Sequence, residues 1–447
     1  MLTGPSLLVV LVVGVLLIVV ATARFKLHPF LSLIVGAYAI GLASGLPAAK
    51  TVAALTGGFG RTVGAIGIVI ACGCIIGKML ERSGGALAMA EAVLRLIGRK
   101  RAVVAMAATG AVVSVPVFCD SGYVLLSPLN RALARQTGIS IASFAVALGM
   151  GLYATLCLVP PTPGPIAVAG ELRAELGTVL LLGMLVVIPV VVATCAYAMF
   201  VGKRIFIDPG AHEEPAAATG EVAPLTAAAA FAPVVLPVVL IALKSVAEFP
   251  GSVLAPAKPV LSFLGDPNTA LILGVLIAAF VVRRHGRDAF GSWCGDGLKD
   301  AGTIILITAA GGALGGVLRE TALAQLVGDT LSALNLGRFN ILLPFVIAAG
   351  LKTAIGSSTV AMITTASLVS PLLATMGLGD GLGPVLATLA IASGAMMVSH
   401  VNDSYFWVIT QMSGLTVTQG YRLITVASGI AGIAAISTVL LLSFALL

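Results

Sequence analysis

Long apolar runs separated by short polar or basic clusters make up most of the chain, without the apolar/polar alternation of a half-buried strand. Runs of about 20 residues predict membrane-crossing helices. In the first half they fall at about Ser6–Ala23, Pro29–Leu46, Thr62–Leu80 and Thr178–Val201. In the second they fall at about Thr226–Ala242, Thr269–Val282 and Thr303–Leu318, and a last span ends the chain. Gly84–Gly98 reads differently. Leu87, Ala90, Leu94 and Ile97 recur at helical spacing while Glu91 and Arg95 stand four apart, which predicts an amphipathic helix lying on the membrane surface. A second surface helix is expected at Thr321–Asn335, with Gln325, Asp329 and Ser332 on one face.

Four further apolar stretches are broken in the middle. The 29 residues between Arg101 and Arg131 hold a single charge, Asp120, too few for two full crossings at about 20 residues each. Both ends are basic, which predicts a re-entrant hairpin over about 102–134 whose tip lies near Pro116–Gly122. The next span, about 139–175, is interrupted by Pro160, Pro161, Pro163 and Pro165, which cannot continue a helix and free backbone groups at membrane depth. Such backbone persists only against protein or a wet cavity. The second half repeats the order, with a hairpin over about 339–373 broken at Lys352–Thr359 and a broken helix over about 384–412 interrupted at Ser399–Ser404.

The halves also match residue by residue. Gly73 and Leu80 correspond to Gly311 and Leu318 at an offset of 238, and the breaks keep nearly that spacing, Asp120 to Ser357 and Pro163 to Asn402. This predicts an all-α polytopic membrane protein built as two repeats of about five transmembrane helices, 1–201 and 226–447. Each repeat carries one re-entrant hairpin and one broken helix, and a polar linker, 202–225, joins them. Placing the N-terminus outside puts sixteen of the 25 lysines and arginines inside and seven outside, with Lys78 and Lys352 inside apolar runs. That bias predicts a periplasmic N-terminus and inverted repeats. Arg24 and Lys26 follow the first apolar run instead of preceding it, so that run reads as a retained span rather than a signal peptide.

Composition narrows the function. With 59% hydrophobic and 10% charged residues, against about 25% charged in soluble domains, an ordinary cytosolic enzyme is excluded. The net charge of +7 is dispersed among loops and is no nucleic-acid footprint. The six cysteines lie mostly in apolar runs and lack metal-ligand spacing, so neither a metal nor another cofactor is expected. There is no His-Glu-x-x-His, Gly-x-Ser-x-Gly or paired aspartate motif to suggest a membrane-embedded enzyme. Paired interrupted segments instead point to a transporter's binding site.

Hairpin tips and helix N-termini near the midplane favour a small organic anion. The expected substrate-binding side chains are Ser121, Thr162, Lys352, Ser357, Ser358, Thr359, Asn402 and Ser404, and the groups expected to carry a proton are Asp120, His400 and Asp403. Ionisable residues at membrane depth are costly and usually mark a pathway. A buried pair tying hairpin to scaffold is their plainer role, as backbone bonding is for the hydroxyls. Lys78 is expected to snorkel to the cytoplasmic face.

The stretches Pro116–Pro128, Pro160–Pro165, Gly356–Ala361 and Ser399–Ser404 resemble the hallmark segments of the gluconate permease family of proton symporters, within the ion transporter superfamily. The resemblance covers almost the whole chain. It implies a bacterial inner-membrane carrier of gluconate or a related hydroxy acid; the family also includes carriers of idonate, glycerate and D-serine, and Phe118–Gly122 differs from the pattern associated with gluconate carriers. It further implies protons and the lipid bilayer as partners, a homodimer and an elevator-like movement. Sodium-coupled relatives resemble this plan but carry Ser-Asn-Thr at both tips, where this chain has Ser357-Ser358-Thr359 once. An ion channel or antiporter moving no metabolite is the alternative of a different class.

Overall fold

A computed structural model describes residues 4–98, 101–208, 225–248, 254–283, 287–321, 337–401 and 403–446. The described residues are helical throughout, joined by turns. The first half contains α1 (Gly4–Ala23), α2 (Pro29–Ala43), α3 (Ala48–Arg82), α4 (Gly85–Ile97), α5 (Ala102–Val113), α6 (Cys119–Thr137), α7 (Ile141–Leu158), α8 (Pro163–Leu172) and α9 (Leu176–Gly202). The second contains α10 (Ala227–Glu248), α11 (Lys258–Leu264), α12 (Pro267–Val282), α13 (Arg287–Arg319), α14 (Leu342–Ile355), α15 (Ser358–Val369), α16 (Gly383–Gly394), α17 (Ser404–Met412), α18 (Val417–Gly420) and α19 (Val426–Leu446). Among the described residues, seven helical segments are long and apolar enough to cross a membrane, or eight if the bent pair α11–α12 counts as one.

The core lies around α7 and α16, the first halves of the two interrupted helices. Every residue of α16 is buried, as is every residue of α7 except Leu156. Helices that are apolar all round belong inside a larger assembly, so the breaks that follow α7 and α16 lie against protein. The periphery is apolar as well: Val192 of α9, Leu276 of α12 and Leu441 of α19 are at least 60% exposed, which suits hydrocarbon as the surrounding solvent.

Helices α3 and α13 run antiparallel and cross closely. A Cβ on Gly58 would stand 2.2 Å from the carbonyl oxygen of Gly312, and one on Gly316 would stand 2.5 Å from that of Ala54. Small residues allow this approach where no water is present to drive association. At the opposite end of the crossing Arg82 meets Asp296 at 3.5 Å.

Several sequence expectations need correction. Helix α3 begins at Ala48, well before Thr62, and α13 begins at Arg287, well before Thr303. The added turns carry charges that had suggested loops, and some of those charges pair across the helices. Lys78 does not snorkel alone; its Nζ reaches Asp300 at 3.2 Å and Glu81 at 3.3 Å. A helix forms over Gly85–Ile97 as α4, but its buried face is Ala86, Met89, Ala90 and Leu94, while Leu87 points outward. Five of the cysteines are buried and all six are unbridged. The second expected surface helix lies outside the described residues beyond Thr321, as do 209–224 of the linker.

Candidate substrate site

Each break is made by local chemistry. Thr162 is the N-cap of α8, and Pro163 takes the first helical position, where a missing N–H costs nothing. Gly356 turns the second hairpin with φ +90°, a left-handed conformation suited to glycine. Ser357 then caps α15 by accepting from the Val360 N–H at 3.3 Å. Asp403 caps α17, its Oδ1 accepting from the Tyr405 N–H at 3.0 Å. Such N-termini leave backbone donors facing the breaks.

The centre of the site is an ion pair. Lys352, at the end of the second hairpin's first arm, is fully buried and places Nζ 2.6 Å from Oδ2 of Asp403, which is itself only 7% exposed. Lys352 also donates to the Gly356 carbonyl at 2.5 Å, and Ser399 Oγ donates to the same Asp403 oxygen at 2.5 Å. Behind it, the Thr425 hydroxyl donates to the Ser399 carbonyl at 2.6 Å, and the Ser399 N–H donates to Ser428 Oγ at 2.9 Å. Residues 421–425 form a π-helical turn there, a local widening that often accompanies functional sites. His400 is half-buried, with Nε2 2.9 Å from the Thr353 carbonyl oxygen.

The first half of the chain meets this centre through tyrosines. Tyr153 of α7 bonds Ser358 Oγ at 2.7 Å and donates to the Ala395 carbonyl at 3.2 Å, joining three interrupted elements with one hydroxyl. The Tyr405 hydroxyl donates to the Gly149 carbonyl at 2.9 Å, and its ring lies 5.6 Å from that of Tyr153 and 6.3 Å from that of Tyr123. Asp120, near the start of α6, stands within electrostatic range of Asp403. Its Oδ1 is buried and has no hydrogen-bond partner among the described residues.

Of the expected residues, Lys352 and Asp403 form the central pair, with Asp120 within electrostatic range of Asp403; His400 bonds the Thr353 carbonyl next to Lys352, and Ser358 bonds Tyr153. Ser357 serves as a cap. Ser121 and Thr359 are half-buried on the first turns of α6 and α15, and Ser404 is exposed. Thr162 is buried but spends its hydroxyl on the Val159 carbonyl at 2.6 Å. Asn402 lies outside the described residues. Tyr153, Tyr405, Thr425 and Ser428 were not anticipated, because isolated tyrosines and hydroxyls inside apolar runs read as core. Between the first hairpin tip (Val115–Phe118) and the first break (Pro161–Pro163) the cavity is about 20 Å³, room for about one water.

Interrupted apolar helices converging on buried charge define a polytopic transporter. A family model described as GntP family permease matches residues 6–445, and the chain belongs to that family. It is 35% identical to an uncharacterized permease of Haemophilus influenzae, covering 97% of this chain and 92% of the relative. It is 32% identical to the gluconate permease of Pseudomonas aeruginosa, covering 96% of each. The D-serine transporter DsdX of Escherichia coli K12 is also 32% identical, with 97% of each covered. Among solved structures, the YdaH transporter of Alcanivorax borkumensis matches with a TM-score of 0.68 at 15% identity, over 94% of this chain and 99% of that one, a likeness of fold.

Proposed function

We propose that this protein is a secondary active transporter that takes up gluconate or a related small hydroxy-carboxylate across the bacterial inner membrane, coupled to protons. The observation that carries the reading is the buried Lys352–Asp403 pair between the second hairpin and the second broken helix, with Asp120 of the first hairpin beside it. The names of relatives that handle gluconate and D-serine support a small carboxylate as cargo.

The chemistry follows from the pair. A proton on Asp403 cancels its charge and loosens its hold on Lys352, whose ammonium then has an electrostatic vacancy for the substrate's carboxylate. Ser357, Ser358, Thr359 and the N–H groups at the start of α15 complete the proposed anion site, and Ser121, Thr162, Asn402 and Ser404 are the residues proposed to read hydroxyls. Asp120 and His400 are the other groups proposed to hold or pass the coupled proton. Inward proton movement gains about 2.3 kcal/mol per 100 mV. An elevator-like movement that carries the site from one side of the membrane to the other belongs to the same proposal.

The antiparallel packing of α3 and α13 supports inverted repeats. An offset of 238 residues carries Ala48–Arg82 onto 286–320, against Arg287–Arg319 for α13. The same offset carries α2, α5 and α7 onto α12, α14 and α16 to within a few residues. A homodimer and a periplasmic N-terminus belong to the same proposal.

Uptake of labelled gluconate by proteoliposomes tests it. Accumulation driven by an inward proton gradient and abolished by a protonophore is expected. Accumulation that survives collapse of both the pH gradient and the voltage contradicts proton coupling.

A further inference from the structure

Away from the Lys352–Asp403 centre, a second charged cavity of about 290 Å³ opens where α3, the end of α8 and the end of α13 meet. Its volume is at the small end of the range for small-molecule sites, about 300–1,000 Å³. Arg61, Arg173 and Arg319 line it, with Thr62 and a single acid, Glu171. Three guanidinium groups against one carboxylate leave the walls electropositive.

The acid is already committed. Glu171 Oε1 accepts from Arg319 Nη2 at 2.6 Å, and its side chain is only 8% exposed. The same Arg319 nitrogen donates to Ser370 Oγ at 2.6 Å, and Ser370 in turn donates to the Glu171 carbonyl at 3.1 Å. This knot fixes one wall and consumes the negative charge. Arg61 feels Glu171 electrostatically but is exposed, as is Arg173, which ends α8 in a left-handed conformation (φ +57°). The arrangement is a rigid neutral pair supporting two cations that face the opening.

We propose that this cavity is a capture site for a small carboxylate, held by Arg61 and Arg173 before it reaches the central site. This rests on the reading of the protein as a carboxylate carrier and adds a second anion site to it. An electropositive cleft with low-dielectric walls concentrates its anionic ligand and raises the association rate by 10–10³-fold, an effect that salt removes. On the orientation expected from the basic residues, this end faces the periplasm, from which substrate arrives.

The test compares wild type with the double variant Arg61→Gln/Arg173→Gln, using Arg95→Gln on the exposed face of α4 as a charge control. Two readouts are needed: gluconate uptake by proteoliposomes of neutral lipid at low and high salt, and thermal stabilisation of purified protein by gluconate, glycerate and lactate. The double variant is expected to raise KM about tenfold at low salt with Vmax within about twofold, and to flatten the salt dependence of KM. Unchanged KM and salt dependence would overturn the capture site while leaving transport intact. If wild type takes up none of gluconate, glycerate and lactate, yet these stabilise it and not the double variant, the anion site at Arg61 and Arg173 stands and the transport reading falls. Loss of neither uptake nor stabilisation in the double variant, or an effect seen only when the vesicles contain an anionic phospholipid, overturns the proposal, the latter by assigning the cavity to a lipid phosphate.

Discussion

Lys352 and Asp403 lie 51 residues apart in sequence and 2.6 Å apart in space, both withdrawn from solvent, so that one contact ties a hairpin to a broken helix. Such a pair adds little to stability compared with an apolar replacement, but losing one partner strands a buried charge. Lys352→Met and Asp403→Asn are each expected to cost about 3–5 kcal/mol, and the double variant distinctly less than their sum. Unfolding of the purified variants measures this, and uptake is expected to fail in all three.

Asp120 is expected to matter to coupling more than to folding. Its Oδ1 has no hydrogen-bond partner among the described residues, so Asp120→Asn removes a charge without breaking a bond at that atom. Stability within about 1 kcal/mol of wild type is expected. Substrate exchange across the membrane should persist while accumulation loses its response to an imposed pH gradient. A wild-type response would remove Asp120 from the proton path.

The Tyr153 hydroxyl joins α7 to Ser358 and to the Ala395 carbonyl. Tyr153→Phe leaves both partners buried and short of a bond, at a cost of about 1–2 kcal/mol. Uptake efficiency, measured as Vmax/KM, is expected to fall about tenfold.

Two glycines of α3 separate close packing from propensity. Gly58→Ala would drive a methyl group into the Gly312 backbone and should prevent accumulation of folded protein. Gly64, also in α3, has nothing within 4 Å of its Cβ position, so Gly64→Ala should be tolerated and gain up to about 1 kcal/mol. Expression and melting of the two variants decide this.

The breaks were legible because their causes are local. Four prolines within Pro160–Pro165, and a lone Asp120 in an apolar run, show in one dimension that a helix stops there. The true lengths of α3 and α13 were hidden, because charges such as Lys50 and Asp300 read as span boundaries until their partners across the crossing are known. The tyrosines were hidden for a related reason. Nothing in the spacing of Tyr153 and Tyr405 tells that their hydroxyls meet polar groups hundreds of residues away. Thr162 shows a different limit, a polar side chain at the right break whose hydroxyl donates to its own turn and keeps only its oxygen to accept from a substrate.

The central claim is that both hairpins and both broken helices form one anion site. A cryo-electron microscopy structure of the protein in lipid nanodiscs with gluconate tests it most directly. Ligand density is predicted within hydrogen-bond reach of Lys352 and the Ser357–Thr359 turn, with Asp120 and Asp403 beside it. Density bound elsewhere in a protein that still transports gluconate, with Lys352 and Asp403 paired as before, would contradict the account.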